Sequence, residues 1–222
     1  MSRWIKICGN TSLEDALLAA DAGADAVGFV FAPSPRRVTV EQVAAITLKL
    51  PSLIEKIGVF VDSSFDEIEA AVRVCGLTGV QLHFETEPDL PGKLRQRFGR
   101  DLRIVGVVRY PVESLKSDRA AEQMIEFASP FLDEHVDAVL VDSYSITTQG
   151  GTGQAYDWGL ASVTLFADTR KRKVAAGGLT PENVAEAIRI LKPWGVDVVS
   201  GVEVTPGRKD PAKVRAFVRN AR

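Results

Sequence analysis

Eight runs rich in valine and isoleucine recur along the 222-residue chain, each followed by a polar turn and then an amphipathic stretch. They read "RWIKIC", "DAVGFVF", "KIGVFVD", "TGVQLHF", "RIVGVVR", "VDAVLVD", "KVAAGG" and "VDVVSG". Between them lie helix-like stretches such as "SLEDALLAADAG", "TVEQVAAITLKL", "SFDEIEAAVRVCG", "TPENVAEAIRILK" and the terminal "DPAKVRAFVRNAR". Several open on Ser, Thr or Asp with Glu in the first turn, the pattern of a capped helix start. Apolar strands alternating with crossover helices predict a parallel sheet covered by helices. Eight units over 222 residues leave about 28 each, close to the minimum for an eightfold barrel. The expectation is an α/β protein, a single-domain (β/α)8 TIM barrel over residues 1–222 with a parallel eight-stranded sheet. An open doubly wound sheet is the alternative.

Composition narrows the partners. The chain has 27 basic against 29 acidic side chains, a net charge of -2, so no bulk field recommends nucleic acid or an anionic membrane. No apolar run reaches the ~20 residues of a bilayer span, and "MSRWIKICG" lacks the apolar core of a secretory signal. The expected partner is therefore a small molecule and the expected location cytoplasmic. Two cysteines, Cys8 and Cys75, make neither a disulfide framework nor a zinc site, and both are expected to be reduced.

A barrel of this kind places its active site at the C-terminal ends of the strands. The residues there are Cys8 and Gly9, Arg36, Asp62, Gln81 with His83, Arg109, Asp142, the pair Gly177 and Gly178, and Ser200 with Gly201. The loops "AAGGLTPENV" and "VSGVEVTPG" put small residues after strands seven and eight, the usual phosphate site of such barrels. Glycines there let backbone N–H groups approach an anion. Taken singly, either glycine pair is better explained by a turn, but paired at those two strand ends they favour phosphate.

Arg36, in the proline-flanked loop "APSPRR", is able to hold a planar carboxylate by two parallel hydrogen bonds. The plainer reading is a solvated surface arginine, with Arg37 beside it. Asp142 ends an apolar strand, where desolvation raises a carboxyl pKa toward values useful for proton donation, although an acid there also serves as a turn cap. Cys8 stops the first strand. A thiolate near cations or backbone N–H groups acts as base or nucleophile, while a strand cysteine is more often inert filling. Cys75, in "RVCGLTG", is the bland case.

The series "KICGN", "GFVFAPSPR", "GVFVD", "GVQLH", "VDS…GGTGQAYDW", "AAGGLTPENV" and "GVDVVSGVEVTPGRKD" resembles the phosphoribosylanthranilate isomerases of tryptophan biosynthesis, in order and along essentially the whole chain. The resemblance implies an Amadori rearrangement of N-(5-phosphoribosyl)anthranilate to 1-(2-carboxyphenylamino)-1-deoxyribulose 5-phosphate, with no cofactor and no metal. It implies Cys8 as general base and Asp142 as general acid. It also implies Arg36 at the anthranilate carboxylate, Asp197 at the anthranilate end and His83 orienting substrate. Gly177, Gly178, Ser200 and Gly201 then hold the phosphate. A monomer or homodimer is expected.

Two positions depart from the family pattern. Phe84 replaces the glycine of "QLHG", and Val199 replaces the first serine of "SSGVE", which strand alternation predicts to be a change in core packing. The loop "QGGTGQAYDW" suggests a lid that excludes water, or plain flexibility. Two rival readings are a related barrel isomerase of histidine biosynthesis, or a dual-substrate form, and a barrel that binds a phosphorylated metabolite without turnover. The first uses a carboxylate where Cys8 stands. The second has no need of both Cys8 and Asp142.

Overall fold

The computed structural model describes residues 3–83, 87, 89–111, 134–144, 156–167 and 170–222. Eight parallel strands close into a barrel in chain order. They are β1 (Trp4–Ile7), β2 (Ala26–Val30), β3 (Glu55–Phe60), β4 (Gly79–Leu82), β5 (Arg103–Pro111), β6 (Ala138–Tyr144), β7 (Arg172–Ala175) and β8 (Gly195–Val198). β8 pairs back onto β1, setting Trp4 opposite Gly195 and Lys6 opposite Asp197. That closure excludes the open doubly wound sheet.

The helices start where side chains satisfy the first backbone N–H groups. Ser12 caps α1 (Leu13–Asp21), and reciprocal capping boxes open α2 (Val40–Thr47), through Thr39 and Gln42, and α3 (Phe65–Cys75), through Ser64 and Glu67. Further helices are α4 (Leu90–Phe98), α5 (Trp158–Val163), α6 (Val184–Leu191) and α7 (Pro211–Ala221), the last capped by Asp210 with Pro211 in its first turn. The stretch "TPENVAEAIRILK" becomes helical only at Val184. Asn183 turns its side chain back, accepting from the Thr180 N–H and donating to the Gly178 carbonyl, so the preceding residues form a turn.

Strand alternation sorts the side chains into two cores. Ile5, Ile7, Val27, Phe29, Val80, Leu82, Val139, Val141, Val196 and Val198 point outward and pack beneath the helices. Trp4, Ala26, Ile57, Val105, Val107, Ala138, Leu140, Val174 and Ala176 fill the lower barrel. Trp4 stacks on Trp194 at the base, with Arg103 and Arg172 over the Trp194 ring. Above that apolar plug the interior turns polar. Lys6, Gln81 and Asp197 form a buried layer, and the strand ends open above it.

After β8 the chain makes a 3-10 turn (Ser200–Val202) and a short hairpin, β9 (Glu203–Thr205) with β10 (Arg208–Lys209). This hairpin feeds two buried charged groups, Glu203 and Lys209, into the mouth of the barrel.

Candidate active site

Cys8 leaves β1 with its sulfur on the same inward face as Lys6 and Trp4, because side chains two apart in a strand share a face. Its N–H donates to the Val198 carbonyl at 2.9 Å, and Lys209 Nζ donates to its carbonyl. The buried Asn10 side chain donates to the carbonyls of Ile7 and Gly28, fixing the turn. The thiol is buried, and desolvation pushes its pKa above the ordinary value. Lys6 opposes that shift most strongly, with Lys209 adding to the opposition, while the Asp197 charge reinforces it. Cys75 is also a reduced, buried thiol, pushed up to about 11 by burial at the end of α3. It behaves as core filling.

Asp142 is not the last residue of its strand: it lies two residues before the end of β6, opposite Arg109 of β5, its direct cross-strand neighbour. Burial, and then the charge of Asp197, push its carboxyl up to about 6, against the pull of the Ser143 N–H, Arg109 and Lys6. The buried Tyr156 ring, tilted against Tyr110 at 4.9 Å between centroids, contributes to the dry surroundings. His83, past the end of β4, is held down to about 4 by burial and by the charges of Arg109 and Lys6, so its imidazole is neutral above that pH.

Asp197 lies one layer deeper than the strand ends, its carboxylate 3.0 Å from Lys6 Nζ. Lys6 Nζ also donates to Gln81 Oε1 at 3.0 Å. Lys6 and Asp197 act electrostatically on both Cys8 and Asp142, so one buried ion pair couples the two sides of the mouth.

Arg36 is not a solvated surface arginine. Its Nε donates to both Glu203 oxygens, at 2.9 and 3.1 Å, and its Nη2 to one of them at 2.6 Å. Burial raises the Glu203 pKa, but the Arg36 hydrogen bonds and Lys209 outweigh it and hold the carboxylate ionised. Arg36 Nη1 is not engaged by Glu203 and remains available for a planar anion. Arg37 is exposed. Asp62 is also exposed, in left-handed backbone at φ 53°, and takes no place in the cluster.

Gly177 and Gly178 end β7 with φ of 74° and 63°, which stops the strand at Ala175. A Cβ on Gly177 would lie 2.3 Å from the Ser143 backbone nitrogen, and one on Gly201 1.9 Å from the Leu179 carbonyl. Small residues are therefore required for the C-terminal ends of β6, β7 and β8 to close on one another. Together they enclose a cavity of about 70 Å³ lined by Asp142, Gly177, Gly178, Asp197, Val199 and Ser200 among others. That space holds a small group rather than a whole metabolite. Val199 borders this cavity and is half-buried, so the departure at that position touches the site instead of the core. A larger groove of about 900 Å³ runs outside the barrel between α1, the hairpin and α7, and neither Cys8 nor Asp142 lines it.

The structure thus gathers Cys8, Arg36, His83, Asp142, Asp197 and the two glycine loops at one end of the barrel. The substitution at Phe84 and the lid segment 148–155 lie outside the described residues. Three groups escape the sequence reading: Lys6, Glu203 and Lys209. Lys6 carried a signal, a lysine two residues before Cys8 and so on its face. Glu203 stands inside a recognisable motif but gives no hint there that it reaches Arg36. Lys209 stands in the same motif, which gives no hint there that it reaches Glu203 and the Cys8 carbonyl.

Residues 5–220 match the family model described as N-(5'phosphoribosyl)anthranilate (PRA) isomerase. The N-(5'-phosphoribosyl)anthranilate isomerase of Pelobacter propionicus is 43% identical over 219 residues, 98% of this chain and 95% of that protein. The phosphoribosyl anthranilate isomerase structure from Thermotoga maritima superposes with a TM-score of 0.82 at 36% identity, covering 100% of this chain and 98% of that one. A phosphoribosyl anthranilate isomerase in complex with reduced 1-(O-carboxyphenylamino)-1-deoxyribulose 5-phosphate is 34% identical, with a TM-score of 0.79 over 100% and 98% of the two chains. With the fold, the family match over residues 5–220 and near-complete coverage in agreement, the chain belongs to the phosphoribosylanthranilate isomerase family.

Proposed function

We infer that this barrel isomerises N-(5'-phosphoribosyl)anthranilate to 1-(2-carboxyphenylamino)-1-deoxyribulose 5-phosphate in tryptophan biosynthesis, with Asp142 as acid and Cys8 as base. The observation that carries the mechanism is the pairing of a buried thiol with a half-buried carboxyl, pushed up to about 6, around one Lys6–Asp197 ion pair. Asp142 protonates the ribose ring oxygen, and the ring opens to a Schiff base. Cys8 then takes the proton from C2′, and the resulting enolamine tautomerises to the ketone. A related phosphoribosyl anthranilate isomerase in complex with reduced 1-(O-carboxyphenylamino)-1-deoxyribulose 5-phosphate supports this substrate class. The phosphate sits on the Gly177–Gly178 and Ser200–Gly201 loops, and the anthranilate carboxylate meets Arg36, with His83 and Asp197 bordering the substrate. A small phosphorylated metabolite is the only partner this reading needs, and it is met in the cytosol by a monomer or homodimer.

The pKa directions set the resting state. Between the two pKa values Asp142 is a carboxylate and Cys8 a thiol. The reactive pair, carboxylic acid and thiolate, has the same total charge and differs by one proton moved across the site. Below about pH 6 a further proton binds the resting pair, so kcat/KM falls about tenfold per pH unit there. Between that limb and the raised thiol pKa it is flat. A profile recorded from pH 5 to 9 that lacks the acid limb would overturn the pairing.

Arg36 and Glu203 predict a separate signature. Arg36→Ala raises KM by about 10-fold or more through loss of a charge-assisted contact, with a smaller change in kcat. Glu203→Gln moves KM in the same direction by a smaller factor, because the guanidinium loses its charged anchor. If both leave KM unchanged, the carboxylate clamp lies elsewhere.

The test of the function itself is the loss of anthranilate-type fluorescence when purified protein meets freshly made substrate, with Cys8→Ala alongside. Rapid loss that disappears in the variant supports isomerase and base together. Decay at the spontaneous rate for both proteins would leave a barrel that binds a phosphorylated metabolite without turnover.

A further inference from the structure

The Lys6 side chain is fully enclosed in the barrel, a setting in which a cation is costly unless its N–H groups are satisfied. An ammonium has three N–H donors. One goes to Gln81 Oε1 and one to Asp197 Oδ1, each at 3.0 Å. The ammonium also borders the space above Gly28. A Cβ built there would lie 2.5 Å from Cys8 Sγ and 3.0 Å from Lys6 Nζ, so sulfur and ammonium share the room that the missing side chain leaves.

We propose that Lys6 is the positioning residue that makes Cys8 a usable base: its ammonium, aimed by Gln81 and Asp197, holds the thiolate over Gly28. This rests on the reading of Cys8 as base and deepens it. A buried lysine–aspartate pair contributes little stability compared with apolar side chains of similar volume. The lower barrel shows that such a filling is available, since Val105, Val107, Leu140 and Val174 occupy it. The charged layer is therefore accounted for by what the cation does to its neighbour. An ammonium in a dry site attracts a thiolate far more strongly than in water.

Four charged groups bear on the thiol. Lys6 comes from β1 itself, Asp197 from β8, Lys209 from β10, and Arg36 from the loop after β2. Gln81 of β4 is neutral, and His83 and Asp142 face Lys6 from β4 and β6. Burial tends to lower the Lys6 pKa, but Asp197 and Cys8 outweigh it and raise it, so the ammonium persists through the working pH range. Lys209 is satisfied by Glu203 and by the carbonyls of Cys8 and Val199, and it stands behind the backbone. Among the cations of the described residues that bear on the thiol, Lys6 is the one that shares the space above Gly28 with the sulfur, inside the barrel.

The experiment is a pH titration of the Cys8 thiolate by its far-ultraviolet absorbance, taken as the difference from the same protein carrying Cys8→Ala. Lys6→Met is expected to lower the thiolate fraction at a given pH by about tenfold or more, one pKa unit or more. Because Lys6→Met strands a buried carboxylate and risks unfolding, the deciding comparison is Asp197→Asn against the double variant Lys6→Met with Asp197→Asn. These two differ only in the ammonium. Asp197→Asn alone lowers the Cys8 pKa, the opposite sign, because a negative neighbour is gone. The double variant raises it again, and kcat with substrate falls by the same factor as the thiolate fraction. Equal Cys8 titration in the two proteins would overturn the proposal, as would a fall in kcat with no change in titration. The titration needs no turnover, so its failure is distinct from failure of the base assignment, which Cys8→Ala tests by activity.

Discussion

Cys8→Ser lowers kcat by about 10²- to 10⁴-fold and leaves KM within a few-fold of wild type. Serine nearly preserves the volume of the thiol, so the turn held by Asn10 and the contact with Val198 are unaffected. What changes is the acidity of the group. Burial already raises the pKa of the thiol, and Lys6 recovers part of that cost. A hydroxyl starts several units higher, and no single ammonium brings it within reach of neutral pH. The substrate still finds Arg36 and the glycine loops, which lie on other strands. Steady-state kinetics on the fluorescent substrate measure both constants, and a kcat near wild type would remove Cys8 from the mechanism.

Asp142→Asn has two consequences that point in opposite directions. The acid is lost, so kcat falls by a factor comparable to that for Cys8→Ser, and the acid limb of the pH profile near 6 disappears with it. At the same time the protein becomes more stable at neutral pH. The folded-state pKa is raised from 3.8 to about 6, so the fold favours the protonated carboxyl. The stability that this group contributes is present below the unfolded pKa and is lost as pH rises through the folded one. Above pH 6 the wild type holds an ionised carboxylate at a cost of about 2–3 kcal/mol, which the amide avoids. Tm of Asp142→Asn is expected to exceed wild type by roughly 5–10 °C at pH 7.5, and the gap should narrow as pH falls from 6 toward 4. Calorimetry at those pH values decides it. A variant less stable than wild type at every pH would mean that the carboxylate is held by attraction rather than against desolvation.

The barrel was legible because its periodicities are local. Valine and isoleucine at strand spacing, and capping residues such as Ser12, Thr39, Ser64 and Asp210, act over a few residues and need no distant partner. The ends of the elements were less so. β7 stops at Ala175 because Gly177 adopts a left-handed turn against Ser143 of the neighbouring strand, and α6 starts late because Asn183 turns back to Gly178.

The site divides along the same line. Cys8, Asp142 and the two glycine loops were named from strand ends alone, since closing a barrel delivers every strand end to one mouth. Arg36 is ambiguous in sequence, and Glu203, 167 positions away, removes the reading of a solvated surface arginine by holding one edge of the guanidinium. Lys6 is not among the residues the strand ends single out, although alternation places it beneath Cys8.

The sequence by itself determined the number of β/α units, the order of the strands and the identity of the groups at their ends, because short-range periodicity and turn chemistry encode all three. Tertiary structure alone decided which of those groups are dry and which charges face them. Desolvation and Coulomb interaction depend on distance through the folded molecule: Lys6 meets Asp197 191 positions away, and that contact shapes the acidity of both Cys8 and Asp142.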